Sequence, residues 1–337
     1  MRPVSTPFRH LHRLTDDAGL FEHAELTVPR VEHGYCVDDV ARGLLVTVRE
    51  PEEVARLTAL SEIYLTFLDD AQVADGRFRN RCAVGGAWET AATYDDCWGR
   101  ALWGLGAAVA HRPALAARAL DCFDRSAGGR SPSSRAMAFA GLGAADVLIA
   151  VPDHRAARLL LADAAEVIGR PGADPRWPWP EPRLRYANAA LAETLIAAGD
   201  LLGDAARLDD GLRLLQWLLD VETARDVISV TPVGGWGLGE PRPGFDQQPI
   251  EVAALADACA RALRVTGAEP WRLAVQRCAD WFLGHNDART ALYDPVSGGC
   301  CDGLEPEGRN ENQGAESTLA MISTFQQSLR HLRRPRP

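Results

Sequence analysis

Four pairs of polar residues, each pair four positions apart, are the first candidates for chemistry in this sequence. They are Asp38 and Arg42, Asp96 and Arg100, Gln247 and Glu251, and Asn312 and Glu316. Side chains four apart lie on one face of a helix, so each pair would place two polar groups side by side. The residues that follow each pair are mostly apolar. Because a carboxylate one turn inside an apolar helix is costly unless it is paired or used, Glu251 and Glu316 are the least ordinary of these acids.

Paired carboxylates are what the cleavage of a glycosidic bond requires. One acid protonates the leaving oxygen, and a second carboxylate activates water or attacks the anomeric carbon. The candidate catalytic residues are Asp38, Asp39, Asp96 and Glu316. Asp38 or Asp39 could form the acid–base pair with Asp96, and Glu316 is the competing partner. Each Asp alone could instead be an ordinary helix N-cap, and Glu251 and Glu316 could hold the backbone of a neighbouring loop.

Aromatic and polar residues in the same stretches suit the recognition of sugars. Sugar rings stack on aromatic faces, and amide, carboxylate and guanidinium groups bond to hydroxyls. The candidate substrate-binding residues are Tyr35, Arg42, Asp95, Trp98, Arg100, Trp179, Glu181, Tyr186, Asn188, Trp236, Asp246, Gln247, Gln248, Glu251, Asn312 and Gln313. Core packing is the alternative for an isolated tryptophan, and it is the interpretation we give to Trp103, Trp217, Trp271 and Trp281.

The elements that would position these residues are predominantly helices. Polar clusters near residues 38, 95, 134, 188, 247 and 312 each open an apolar helix that is rich in small residues. Between them lie amphipathic stretches at roughly 52–70, 114–125, 154–168, 205–220 and 269–283. Six inner helices alternating with charged outer helices predict an all-α fold, an (α/α)6 toroid in which the N-terminal ends of the inner helices meet at one mouth. The alternatives are an open solenoid and two bundles.

We expect one domain over residues 1–337, with short flexible tails at about 1–7 and 330–337. No repeat of 34 or 40 residues supports a solenoid, and no linker rich in Pro, Gly or Ser divides the chain.

Composition excludes several kinds of function. The 337 residues contain no lysine, and 36 basic against 46 acidic side chains give a net charge of −10. Lysine Schiff bases and Walker-type phosphate loops are therefore excluded, and nucleic acid or an anionic membrane is disfavoured as a partner. No apolar run or leader predicts a membrane span or secretion, and the eight cysteines show no C-x-x-C pair, so we expect a cytoplasmic protein with reduced thiols. No ligand spacing predicts a metal, and we expect no cofactor.

Four longer motifs resemble a known bacterial family. They are Asp75-Gly-Arg-Phe-Arg-Asn80, Trp177-Pro-Trp-x-Glu181 with Tyr186-x-Asn188-Ala, Phe245-Asp-Gln-Gln-Pro-Ile-Glu251, and Asn310-Glu-Asn-Gln-Gly-Ala-Glu-Ser-Thr318. The family consists of (α/α)6-toroid proteins that are often found with, or fused to, glycosyltransferases and mannoside-processing enzymes, and the resemblance runs from about residue 33 to 325. It implies a carbohydrate-active toroid, similar in shape to glycoside hydrolases and sugar 2-epimerases, and a functional association with a glycosyltransferase.

The leading hypothesis is therefore a glycoside hydrolase acting on a short oligosaccharide, with a mannoside as one candidate substrate. The first alternative is a sugar epimerase or isomerase, which needs two bases facing the substrate carbon. Only His33 and His285 stand in suitable loops. The second alternative is a saccharide-binding partner of a glycosyltransferase, without catalysis.

Overall fold

The computed structural model describes residues 6–51 and 55–332, and twelve α-helices lie within them. The helices are α1 (Arg9–Leu14), α2 (Val37–Arg49), α3 (Ala55–Ala71), α4 (Asp96–His111), α5 (Pro113–Ser126), α6 (Ser134–Ala150), α7 (Arg155–Ile168), α8 (Ala189–Leu202), α9 (Ala205–Val221), α10 (Pro249–Thr266), α11 (Glu269–Phe282) and α12 (Ala315–Leu332).

The even-numbered helices form a closed inner ring. Each contacts the next along the chain, and α12 returns to contact α2. The odd-numbered helices pack outside this ring, and the short α1 packs against α12, so the two ends of the described chain form the sixth hairpin. The predicted all-α (α/α)6 toroid is therefore confirmed. The predicted tails lie largely outside the described residues, although α12 continues to Leu332.

Close packing of α4 against α6 explains the glycines of these helices. A Cβ placed on Gly106 would lie 2.1 Å from the carbonyl oxygen of Gly143. One placed on Gly143 would lie 2.2 Å from the carbonyl oxygen of Leu102. The two helix backbones are thus in direct contact, and these positions of the inner ring have no room for a side chain.

Ten short strands connect the loops rather than build a core sheet. They are β1 (Ala24–Glu25), β2 (Val28–Pro29), β3 (Tyr35–Cys36), β4 (Arg81–Cys82), β5 (Arg183–Leu184), β6 (Thr223–Ala224), β7 (Val227–Ile228), β8 (Trp236–Gly237), β9 (Gly303–Glu305) and β10 (Gly308–Asn310). All five pairs are antiparallel: β1–β2, β3–β4, β5–β8, β6–β7 and β9–β10. The pairs β3–β4 and β5–β8 join loops that are distant in sequence, which fixes the rim of the ring.

The inside of the ring is apolar except for a few buried ion pairs. Well inside the ring, Arg49 lies 3.1 Å from Asp257, and Arg261 lies 2.8 Å from Glu193. All eight cysteines are buried free thiols. Within the described residues, no helix combines the length and the apolar character needed to cross a membrane.

The Gly143→Ala variant tests the contact between α4 and α6. Its methyl group would meet the backbone of Leu102, so the helices must move apart. We expect the free energy of unfolding to fall by about 1–3 kcal/mol, because overpacking outweighs the better helix propensity of Ala. Urea titration measures this. Gly128→Ala, where nothing lies within 4 Å of the added carbon, is the control, and equal midpoints for the two variants would contradict the packing argument.

Candidate active site

A cavity of about 720 Å³ lies between the N-terminal parts of α4, α10 and α12 and the loops that precede α8 and α10. This volume is in the range of small-molecule sites. Its charged lining residues are Arg100, Arg183, Arg185, Glu251 and Glu316. Below it, a narrow cavity of about 30 Å³ continues into the ring between Trp103, Phe139 and Ala190. Arg100 and Ile250 line both spaces, so the mouth leads into the axis of the toroid.

Arg42 connects the first inner helix to the last. Its Nη2 donates to Asp39 Oδ1 at 2.6 Å, and its Nη1 donates to Glu316 Oε2 at 2.6 Å. Asp39 and Arg42 are both buried, whereas the side chain of Glu316 is 45% exposed and reaches the cavity. One guanidinium therefore holds a buried carboxylate on one side and a cavity carboxylate on the other.

The two carboxylates bound to Arg42 have pKa values shifted in opposite directions. Burial raises the pKa of Asp39 to about 7, against the opposing effect of Arg42. Burial also disfavours ionisation of Glu316, but Arg42 and Arg100 outweigh it and hold the pKa of Glu316 below its usual value. Glu316 is thus ionised at neutral pH, which suits a base or a nucleophile.

Arg100 interacts electrostatically with three of the predicted catalytic carboxylates. Its guanidinium stacks on the ring of Phe139 at 3.9 Å, and its Nε lies 3.7 Å from Asp38 Oδ1. Burial and Arg42 lower the pKa of Arg100, and this lowering is opposed by Asp38, Glu316 and Asp96. The predicted catalytic acids Asp38, Asp96 and Glu316 therefore act on one guanidinium, although they come from three neighbouring inner helices.

The loop before α8 supplies a second wall of the cavity. The hydroxyl of Tyr186 donates to Asp96 Oδ2 at 2.6 Å. Asn188 Oδ1 accepts from the backbone N–H of Arg185 at 2.9 Å, and Glu251 accepts hydrogen bonds from the backbone N–H groups of Ala187 and Asn188. Glu251 thus holds this loop in place. This is the structural role that the sequence analysis gave as the alternative to a role at the substrate.

The predicted substrate-binding residues divide into two groups. Those that line the cavity or its axial extension are Arg42, Arg100, Tyr186, Gln248 and Glu251. The others lie outside that lining, and most of them bond to neighbouring loops or pack in the core: Tyr35, Asp95, Trp98, Trp179, Glu181, Asn188, Trp236, Asp246, Gln247, Asn312 and Gln313.

The tryptophans predicted to stack on sugars pack instead on protein. Trp98 is fully buried, and its indole N–H donates to the carbonyl of Ser126. Trp179 stacks on Trp217, and Trp177 packs edge-on against both Trp217 and Trp236. The loop between α7 and α8 needs a small apolar core of its own, and these rings provide it.

Polar residues of the second group hold neighbouring loops together. Glu181 accepts from Arg135 at 2.7 Å, and Gln247 donates to Asp287 at 2.7 Å. Asn312 accepts from the backbone of Leu26, and Gln313 accepts from Ser297. Each contact joins a helix start to an adjacent loop. Asp95 and Asp246 are exposed. The side chain of Asp95 does not cap α4.

His23 and the arginines of the second wall were not among the predicted site residues. The rings of His23 and His33 lie 5.1 Å apart, edge to face, and His23 helps to lower the pKa of Glu316. His285 lies in an exposed loop beyond α11 and does not join them. The N-terminal segment that carries His23 crosses the start of α12, which no local sequence pattern indicates. Arg183 and Arg185 line the cavity directly.

One group of residues near the mouth has the composition of a metal site. Donor atoms of Glu22, Cys36 and Asp39 lie within 4.8 Å of one another. Arg81 pairs with Glu22, and Arg42 pairs with Asp39. Burial raises the pKa of the Cys36 thiol well above its usual value, so the thiol stays protonated. The two carboxylates of this group are therefore already paired with arginines of the protein.

Comparison with known proteins supports the fold. No family model and no curated protein sequence matches the chain. A sugar epimerase from a ruminal bacterium superimposes with a TM-score of 0.71 at 11% identity, covering 96% of this chain and 95% of that one. Cellobiose 2-epimerase from Spirochaeta thermophila gives 0.70 at 11% identity, covering 96% and 93%. A family 76 α-mannanase from Bacteroides thetaiotaomicron gives 0.66 at 10% identity, covering 96% and 93%. The association with a glycosyltransferase stays a prediction.

The raised pKa of Asp39 predicts a pH dependence of stability. The folded protein holds this proton up to about pH 7, whereas an unfolded Asp loses it near pH 4. The stability that Asp39 contributes is therefore fully present below about pH 4 and is lost as the pH rises through 7, by at most about 1.4 kcal/mol per pH unit.

Urea unfolding of the wild type and of Asp39→Asn at several pH values measures this effect. Because the amide cannot ionise, the variant should lose less stability than the wild type between pH 4 and 7. Asp121→Asn, at an exposed position on α5, should follow the wild type. Parallel curves for the wild type and Asp39→Asn would show that Asp39 is ionised throughout this range.

Proposed function

We propose that the chain is an enzyme that hydrolyses a glycosidic bond in a short oligosaccharide. The observation that carries this proposal is the position of Glu316 and Asp38. They lie at the starts of neighbouring inner helices, and both act on Arg42 and Arg100. Glu316 lines a sugar-sized cavity, and Asp38 is linked to that cavity through Arg100. Two carboxylates facing one substrate space are the requirement for glycosidase chemistry.

Glu316 is the carboxylate that acts in its ionised form. Arg42 keeps it charged, and its exposed side chain faces the cavity. It either removes a proton from the water that attacks the anomeric carbon or attacks that carbon itself. Asp39 is a positioning residue, since it is buried and reaches the site only through Arg42.

Asp38 is the proton donor in this proposal. Its Oδ2 lies 3.4 Å from the thiol of Cys36, and its Oδ1 accepts no hydrogen bond in the described chain. The 3.7 Å between Oδ1 and Arg100 Nε exceeds a hydrogen bond. The proposal assigns to this partnerless oxygen the transfer of a proton to the leaving oxygen of the glycoside.

A mannoside is the first substrate to test. The motif resemblance points to mannoside-processing partners, and one structural neighbour is named as an α-mannanase. Hydrolysis of a panel of manno- and gluco-oligosaccharides, followed by analysis of the released sugars, tests the reaction itself.

Variants at positions 316 and 38 separate the two catalytic roles. We expect Glu316→Gln to lower kcat on every substrate by about 10²–10⁴-fold, because no carboxylate remains to activate water or attack. Asp38→Asn should lose a similar factor on natural oligosaccharides but much less on nitrophenyl glycosides, whose leaving group needs no proton. Steady-state kinetics on both substrate types gives the comparison.

The control is Glu307→Gln, which makes the same chemical change in the exposed turn between β9 and β10. It should keep wild-type kinetics. Equal losses for Asp38→Asn on both substrate types would remove Asp38 as the proton donor. Full activity of Glu316→Gln would contradict the proposed mechanism.

A sugar epimerase or isomerase is the second candidate, and the pairing of His23 with His33 favours it. The two imidazoles lie 5.1 Å apart outside the cavity lining, and His23 acts on Glu316, which does line the cavity. Incubation of free sugars in deuterium oxide distinguishes the candidates, since proton abstraction next to a carbonyl exchanges carbon-bound hydrogen and hydrolysis does not. Deuterium in the recovered sugar, lost in His23→Gln, would favour this candidate over the hydrolase.

A further inference from the structure

The cavity has two chemically different walls. Glu316 lines the cavity at the start of α12. Asp38 on α2 and Asp96 on α4 are not part of the lining, but they act with Glu316 on Arg100, and we call these three carboxylates the acidic wall. Another part of the lining carries Arg183 and Arg185 from the loop before α8, together with residues 231–235. We call this the cationic wall.

Arg185 is the free cation of the cationic wall. Its side chain is exposed and lines the cavity, and it has no ion pair or side-chain hydrogen bond within residues 6–51 and 55–332. The neighbouring Arg183 differs, because it pairs with Glu240 and donates to the carbonyl of Gly234. In a protein with a net charge of −10, an unpaired cation at a cavity admits anions that the rest of the surface repels.

A glycine turn beside Arg185 leaves room for a ligand. Gly234 and Gly235 both have positive φ, +89° and +64°. The turn lies directly on β5, since a Cβ on Gly235 would be 3.3 Å from the Cα of Arg185. A Cβ on Gly234 would meet nothing within 4 Å. The backbone at this point borders open space in the cavity, and no side chain fills it.

The backbone of Arg185 is held rigidly. Asn188 Oδ1 accepts from its N–H, and Glu251 fixes Ala187, whose φ of +46° is unusual for a residue with a side chain. A strained backbone persists only where the surroundings enforce it. The buried carboxylate of Glu251 enforces this backbone conformation. The backbone of Arg185 is therefore already in place before a ligand binds.

We propose that the cationic wall binds an oxyanion substituent of the saccharide, a carboxylate or a phosphate, through Arg185 and the open turn at Gly234–Gly235. The proposal rests on the proposed function and names its substrate class, an acidic oligosaccharide. A guanidinium donates two parallel hydrogen bonds to such a group. The anionic group would then lie away from the acidic wall, where the bond is cleaved.

Binding of small ligands tests this assignment without requiring turnover. Calorimetry compares mannose with mannuronate and mannose 6-phosphate, and inorganic phosphate is titrated alone. We expect the two anionic sugars to bind about tenfold or more tightly than mannose, an advantage that falls as salt is added. Arg185→Gln should abolish the advantage, and Arg185→Lys, which keeps the charge but loses the fork, should retain part of it.

Two further variants complete the design. Arg272→Gln, which removes an arginine paired with Glu269 on the outer helix α11, should bind every ligand as the wild type does. Glu316→Gln should keep the preference for anionic sugars even where it abolishes hydrolysis, so a failure of the proposed chemistry would not be mistaken for a failure of this binding site.

Equal affinities for neutral and anionic sugars would overturn the assignment. So would an unchanged preference in Arg185→Gln. Binding of inorganic phosphate that depends on Arg185 and matches that of mannose 6-phosphate would assign the wall to free phosphate and overturn the sugar substituent.

Discussion

The ion pairs of Arg42 are the interaction on which both the ring and its candidate chemistry depend. They join α2 to α12, the helices at which the toroid closes, and the guanidinium is buried. A buried charge that loses its partner costs about 3–5 kcal/mol, so the carboxylates and the arginine must be present together. Arg42 lowers the pKa of both carboxylates. The pKa values differ because burial outweighs this effect at Asp39, whereas Arg42 and Arg100 together outweigh burial at Glu316.

Helical spacing predicted which residues share a face but not their partners. The pattern paired Asp38 with Arg42 and Asp96 with Arg100. In the structure Arg42 binds Asp39 and Glu316, and Arg100 approaches Asp38 from the next helix. A period of 3.6 residues places side chains on one side of a helix, and only the packing of helices decides what they meet. The sequence thus predicted that these carboxylates lie near one another. Their hydrogen-bond partners could not be predicted, because those depend on how the helices pack in the ring.

The loops were harder to interpret from the sequence than the helices. Trp179 and Trp236 were predicted to bind sugar because they stand in the same stretches as the polar candidate residues. They pack with Trp177 and Trp217, since a long loop folded back on itself must bury apolar surface of its own. His23 was not among the candidates for the opposite reason: no periodic pattern marks it. The backbone N–H of Gln313 donates to the carbonyl of Leu26 and so holds the N-terminal hairpin beside the start of α12.

The two walls of the cavity differ in rigidity. This difference matches their proposed roles, because the acidic wall carries out the reaction and the cationic wall recognises the substrate. The acidic wall stands on three packed helices, where Arg42 and Arg100 fix the positions of the carboxylates. The cationic wall stands on loops, and loops tolerate change more readily than helices do. Glu251 limits that freedom by fixing the backbone that carries Arg185 and Tyr186. Since Tyr186 in turn bonds to Asp96, a displaced loop would disturb both walls at once. Glu251 can therefore govern, through the loop that it holds, how precisely recognition and catalysis are aligned.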